Sequence, residues 1–265
     1  MLICRYRTAD GPQWGLVEEG IVYALAGDPF SPAALDATSL RPQVERSAPV
    51  GPIESVSLLA PFAGSKILAI GRNYAAHAAE HGGTVPEEPL VFLKPPSSLL
   101  DPDAAIELLP EMQRVEHEAE LVVVIGRRGR FIAEADALRY VFGYTCGNDV
   151  SERIYQRKDG QWTRAKGFDT FCPLGPWIAT DLDLENVRVQ CRVNGEVRQS
   201  ASTRDMVYKV PRLIAHISRI MTLEPGDIIL TGTPEGVSPI QPGGRVEVEI
   251  EGIGVLANPV VLREA

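Results

Sequence analysis

The 265-residue chain has no apolar run approaching 18 residues, which excludes a membrane-spanning helix. Cysteine is scarce as well. Cys4, Cys146, Cys172 and Cys191 are scattered with no CxxC pair, so neither a zinc knuckle nor a disulfide framework is expected, and a reduced, cytoplasmic setting follows. Aromatic residues make up only 6%, too few for a surface that stacks on bases. Positive charge is also in deficit: 26 Lys and Arg stand against 35 Asp and Glu, for a formal net charge of -9. That balance argues against nucleic acid and anionic membranes as partners, but it leaves room for a locally positive site that takes a small anion. The glycine-rich TGTPEG at 231–236 is neither GxxxxGK[ST] nor GxGxxG, and there is no GxSxG nucleophile elbow. The opening MLICRYRTADG has no apolar h-region, so no secretory leader is expected.

What is present is ordinary globular composition, 45% hydrophobic and 23% charged, in a chain long enough for a sizeable core. The first segment alternates weakly through ICRYR and WGLVEEGIVYAL and reads as short antiparallel strands. Between Asp28 and Pro61 the periodicity fades, and Pro42 to Pro61 reads as a connection to the main body. There, SKILAIG and LVFLK read as strands, and NYAAHAAE as a short helix capped by Asn73 and ended by Gly82-Gly83. AEADALRYV reads as an amphipathic helix, and FGYTCGNDVSERIYQRK as a strand entering a helix near Asp149. VRVQCRVNGEVRQ alternates about Asn194-Gly195, a type I′ hairpin signal. PRLIAHISRIMTL carries an apolar stripe of Leu213, Ile214, Ile217 and Ile220, with Pro211 in its first turn. RVEVEIEGIGVLANP reads as two strands about Glu251-Gly252. Strands outnumber helices, and the helices are short, so the expected class is mainly β (α+β) with peripheral helices.

The chemistry begins at EHEAELVVVIG, 116–126, where three carboxylates lead into an apolar strand. On a strand, Glu118 and Glu120 share a face with Val122 and Val124, while Ala119 and Leu121 point the other way. Two converging carboxylates repel unless a cation or a shared proton compensates. Spacing alone also fits a solvated strand end, because Glu247 and Glu249 in RVEVEIE have the same pattern. A third acid, Asp149, sits in the polar segment GNDVSERIYQRK. Three carboxylates without His or Cys would select a hard divalent ion, Mg²⁺ before Mn²⁺ or Ca²⁺. No spacing rule joins Asp149 to the Glu pair. His77 and Glu80 lie three apart, the offset of a helix-face pair: either a surface pair or a general base with its orienting acid on a movable lid. Lys166 and Lys94 stand among apolar residues, either as solvated lysines or as amines facing an anion.

Together the segments GRNYAAHAAE, PLVFLKP, EHEAELVVVIG, GYTCGNDVSERIYQ, WTRAKGFDTFCPLGP, VNGEVRQ and LEPGDIILTGTPEGV closely resemble the fumarylacetoacetate hydrolase family, over 64–265. Residues 1–55 resemble the small N-terminal β module of bacterial members, leaving 56–265 as the catalytic domain. The resemblance implies a β-roll catalytic domain and a homodimer. It implies Glu118, Glu120 and Asp149 as ligands of Mg²⁺, with Mn²⁺ or Ca²⁺ as substitutes. It also implies His77, Glu80 and Lys166 as catalytic residues, and Arg72, Lys94, Arg153, Gln156 and Thr233 as substrate contacts. Glu116 falls outside the matched pair as a flanking acid. The family's TSDM segment reads TRDM here, with Arg204 at the variable place. The implied substrate is a small anionic 2-oxo acid whose carboxylate and keto oxygen chelate the ion, so that electrons released at C3 are held as an enolate. The His77–Glu80 pair points to C–C cleavage, by acylpyruvate hydrolysis or oxaloacetate-type decarboxylation. Isomerisation of a 2-hydroxyhepta-2,4-diene-1,7-dioate or 5-carboxymethyl-2-hydroxymuconate type is the alternative.

Overall fold

The computed structural model describes residues 1–31, 45–80 and 82–263. Its largest sheet has twelve strands. At its centre Ala119–Ile125 lies antiparallel between Val141–Asn148 and Ile228–Leu230. The unbroken Leu-Val-Val-Val-Ile run fits that place, because both faces are covered. Ala119, Leu121, Val123 and Ile125 join the core beneath a second, five-stranded sheet that includes Arg188–Val193, Arg245–Ile250 and Gly254–Leu262. Val122 and Val124 join a core on the opposite face with Ile67, Ala69, Leu174 and Ile178. The mainly β class read from the sequence is the class observed.

The N-terminal strands extend this sheet: Leu2–Thr8 pairs with Cys172–Ala179, and Ile3, Leu16 and Phe30 pack in the same core as Val122 and Val124. A satellite cluster of Cys4, Tyr6 and Val22 lies beyond. The expected connection from Pro42 to Pro61 needs correction where it is described. Arg46–Pro52 is a strand paired with Ile21–Leu25, and Leu58–Leu59 pairs with the first strand. Arg46–Pro52 is an almost wholly exposed edge, so neither face leaves an apolar period in the sequence. Pro42 to Gln43 and Val44 lie outside the described residues.

Four α-helices are described: α1, Ala75–Glu80; α2, Arg153–Asp159; α3, Thr163–Lys166; and α4, Val210–Ile220. In α4, Leu213, Ile214 and Ile217 are buried as expected, but Ile220, at the last position, is exposed. The Asn194-Gly195 turn has both φ angles positive, as a type I′ hairpin requires. Glu134–Tyr140, expected as an amphipathic helix, is a 3₁₀ segment with only Ala137 buried. Asn73 does not serve as the expected cap. Its amide donates to the carbonyls of Tyr208 and Thr231 and accepts from the Tyr208 N–H, which ties the approach to α1 to the 208 and 231 loops.

Candidate metal centre and active-site cavity

Pairing of the two central strands joins what spacing could not. Ala119 is opposite Asn148, the Asp149 N–H donates to the Glu118 carbonyl (2.9 Å), and the Glu118 N–H donates to Asn148 Oδ1 (2.9 Å). Asp149 therefore leaves its strand beside Glu118, one step before the strand that carries Glu120. One carboxylate oxygen from each of Glu118, Glu120 and Asp149 lies within 4.8 Å of the others, and all three residues are buried. They line a cavity of about 520 Å³ together with His77, Arg72, Arg153, Gln156, Lys166 and Thr233.

The three acids are held differently. Lys166 Nζ bridges Glu118 Oε2 (2.8 Å) and Asp149 Oδ2 (2.6 Å) and donates to Ser151 Oγ (2.7 Å). Burial opposes its charge, but Asp149 and Glu118 outweigh burial and hold the ammonium above its ordinary value. Burial raises the proton affinity of Glu118, yet Lys166, Arg153 and His77 overcome it and hold the carboxyl well below the usual range. Glu120 goes the other way: burial and the charges of Asp149 and Glu118 push it well above. Its Oε2 accepts from the Gly232 N–H (2.6 Å), and no lysine or arginine among the described residues forms an ion pair with it. Gly232 has φ of +99, and a Cβ there would come within 2.7 Å of Asn73 Cβ, so this close approach requires glycine.

A buried all-carboxylate set with one member short of positive charge fits a hard divalent cation. Glu118, Glu120 and Asp149 are therefore a site that can bind a metal.

Around the acids, Arg153 donates from Nε to Glu116 Oε2 (2.7 Å) and reaches Glu118 Oε1 with its NH2 group (2.6 Å). Glu116 is fully buried and takes a second arginine, Arg114, so the acid outside the matched pair orients a neighbour of Glu118. His77 lies at the cavity wall with Nδ1 3.5 Å from Glu80 Oε2, and both Glu80 oxygens face the Gly236 N–H at 3.3 Å. One expected substrate contact is placed otherwise. Lys94 is buried behind the cavity wall, where its ammonium donates to Asp149 Oδ1 (2.6 Å) and to the Lys166 carbonyl, so it positions an acid and does not face the cavity. Thr233 lines the cavity, but its hydroxyl already donates to the Ala119 carbonyl (2.9 Å) and accepts from Gln199 Nε2 (2.8 Å). Arg204, in the TRDM segment, lies outside the cavity lining, in a 3₁₀ turn closed by a capping box between Ser202 and Asp205.

Several residues of the site escaped the sequence reading. Trp162 stacks edge-on with Phe92 at the cavity wall, with ring centroids 5.2 Å apart, and Gly71 makes room for the indole. Gln199 binds His117 Nδ1 (3.0 Å), the Ala119 N–H (3.0 Å), Thr233 and the Pro234 carbonyl, which locks the ligand strand to the TGTPEG loop. His117 is buried on that bridge, and burial lowers it to about 4, so it is neutral at physiological pH. Only the polar character of the VNGEVRQ strand end hinted at Gln199.

Comparison with known proteins places this architecture. Residues 66–261 match the fumarylacetoacetate (FAA) hydrolase C-terminal family, and residues 1–61 match the Rv2993c-like N-terminal family; the chain belongs to the fumarylacetoacetate hydrolase family of enzymes. It is 50% identical over 213 residues to protein Rv2993c of Mycobacterium tuberculosis, covering 79% of this chain and 80% of the relative. It is 46% identical over 226 residues to the mitochondrial oxaloacetate tautomerase FAHD2A of Bos taurus, covering 80% and 72%. Among solved structures, 5-carboxymethyl-2-hydroxymuconate delta-isomerase of Mycobacterium smegmatis is 44% identical with a TM-score of 0.88, covering 99% of this chain and 100% of the other. Fumarylpyruvate hydrolase of Pseudomonas aeruginosa, solved with Mn²⁺ and pyruvate, is 32% identical with a TM-score of 0.72, covering 76% and 91%.

Proposed function

We propose that the chain binds a small 2-oxo carboxylic acid at the Glu118–Glu120–Asp149 centre with Mg²⁺, and cleaves the C–C bond beyond C3 with His77 as general base. The observation that carries this reading is His77 on the wall of the cavity that holds the acid triad, with Glu80 behind it at 3.5 Å from Nδ1. Beside Nδ1, the Glu80 carboxylate favours the tautomer that keeps the proton there, which leaves Nε2 to take a proton from a water that adds to the C4 carbonyl. The C3–C4 bond then breaks, the acyl group leaves as a carboxylic acid, and the electrons pass to C3 as an enolate that regains the proton. The Gly236 N–H donates to Glu80 and holds that carboxylate toward the ring. Lys166 keeps its positive charge at the cavity, where it stabilises negative charge developing on the substrate. Arg153 and Gln156, hydrogen-bonded to each other at 2.9 Å, orient the substrate carboxylate. A divalent ion at the three carboxylates would supply Lewis-acid polarisation of a 2-oxo acid. Mn²⁺ and pyruvate in the fumarylpyruvate hydrolase support both the ion and the substrate class.

A second reading ends at proton transfer: Nε2 moves a proton at C3 without cleavage, giving tautomerisation or isomerisation. The 46% identical oxaloacetate tautomerase and the 44% identical muconate isomerase favour it. The test is turnover of acetylpyruvate, oxaloacetate and a 2-hydroxy-diene dioate side by side with Mg²⁺, in wild type and His77→Ala. The expected result is cleavage in wild type and at least about a hundredfold loss of it in His77→Ala, the usual scale of a general base. Wild-type protein that only tautomerises or isomerises selects the second reading. Full cleavage by His77→Ala removes the histidine from the mechanism.

A further inference from the structure

The cavity contains two arginines that no carboxylate among the described residues answers. Arg72 and Arg157 both line it, and neither side chain has a hydrogen bond or ion pair with any described residue. Arg153 and Lys166, the other Arg and Lys side chains on the same walls, are each tied to two acids. Arg72 holds its position at a φ of +58, in the left-handed region, with its guanidinium against Gly83.

Arg153, Gln156 and Arg157 stand at i, i+3 and i+4 of α2 and share one face. Arg153 is anchored to Glu116 and Glu118, and Arg157 stands four residues farther along the helix, ~6 Å along the axis. It also lines an adjoining cavity of about 280 Å³ with Arg114 and Glu80, so its guanidinium stands between two open spaces. The same cavity wall carries the Phe92 and Trp162 rings, an apolar surface for a hydrocarbon chain. One cavity thus holds a carboxylate cluster fit for a cation, an apolar wall and a guanidinium without an ion pair among the described residues.

We infer that Arg157 holds the second carboxylate of a 2-oxo dicarboxylic acid and selects such acids over monocarboxylates of the same length. This rests on the reading of the triad as the anchor for the 2-oxo acid end. A guanidinium matches a carboxylate through two parallel N–H donors, which a terminal methyl group cannot use.

The test is calorimetric binding of 2-oxoadipate and 2-oxohexanoate, which share a skeleton and differ in the terminal carboxylate, to the full chain with saturating Mg²⁺. Wild type binds the dicarboxylate about tenfold or more tightly than the monocarboxylate. In Arg157→Gln the two affinities converge, with the loss falling on the dicarboxylate, and Arg157→Lys restores part of the difference. Equal binding by wild type, or an unchanged ratio in Arg157→Gln, overturns the role of Arg157 while leaving the anchor intact. Failure of both acids to bind, or binding of both that Glu120→Gln leaves unaltered, overturns the anchor itself and this assignment with it.

Discussion

Glu118 and Glu120 share their spacing with Glu247 and Glu249, and the two pairs have opposite fates. Glu247 and Glu249 lie on Arg245–Ile250 across from Arg188–Val193, where Arg192 donates to Glu247 (3.0 Å) and Glu249 (2.5 Å) and Arg188 adds a third contact. Their side chains remain 26% exposed, so each acid is paired, partly hydrated and chemically quiet. Glu118 and Glu120 are buried, and their cations are unevenly shared: Lys166 and Arg153 serve Glu118, while Glu120 has a backbone N–H. Alternate placement brings two carboxylates to one face. Burial and unequal pairing are what make a face reactive.

Removing the cation from each pair separates the two regions most strongly. In the metal-free protein, Lys166→Met leaves Glu118 and Asp149 with less compensation in a buried site and costs about 3 kcal/mol. Arg192→Met, at the half-exposed pair, costs about 1 kcal/mol or less. Urea unfolding with a chelator present measures both, and equal losses would mean that burial does not distinguish the pairs.

Acidity separates them by sign. Glu120 has a folded pKa raised above 4.5, so the stability its protonated form contributes is full below that value and is lost as pH rises through the raised one. Glu249 is lowered, chiefly by its hydrogen bond from Arg192, so its contribution is present above 4.5 and is lost as pH falls. A divalent ion offsets the cost of ionising Glu120. The stabilisation on adding Mg²⁺, read as a rise in Tm, therefore grows with pH through the window above 4.5, its free energy by at most about 1.4 kcal/mol per pH unit for this one group. Thermal unfolding with and without Mg²⁺ checks this, and a pH-independent rise would remove Glu120 from the account.

The difference between the pairs also marks how far the sequence could be read. The unbroken Leu121–Ile125 run identified a buried strand, and the alternation of Val189, Cys191 and Val193 identified one with a polar face, so the β class was legible. The two Glu residues were visible as a pair. Asp149 joined them only through family resemblance, because their union depends on the register that sets Ala119 opposite Asn148. Lys94 and Gln199 were beyond local reading, since they act across 55 and about 80 residues of chain. Arg157 stayed hidden for a different reason: an exposed arginine late in a short helix reads as solvated until the cavity beside it is known.

Calorimetric titration of Mn²⁺ into the metal-free protein tests the central claim most directly, using Glu120→Gln and Glu249→Gln as the matched pair. One site is expected, with unchanged affinity in Glu249→Gln and an affinity about a hundredfold or more weaker in Glu120→Gln, beyond the effect of losing an outer partner. Undiminished Mn²⁺ binding by Glu120→Gln would contradict it.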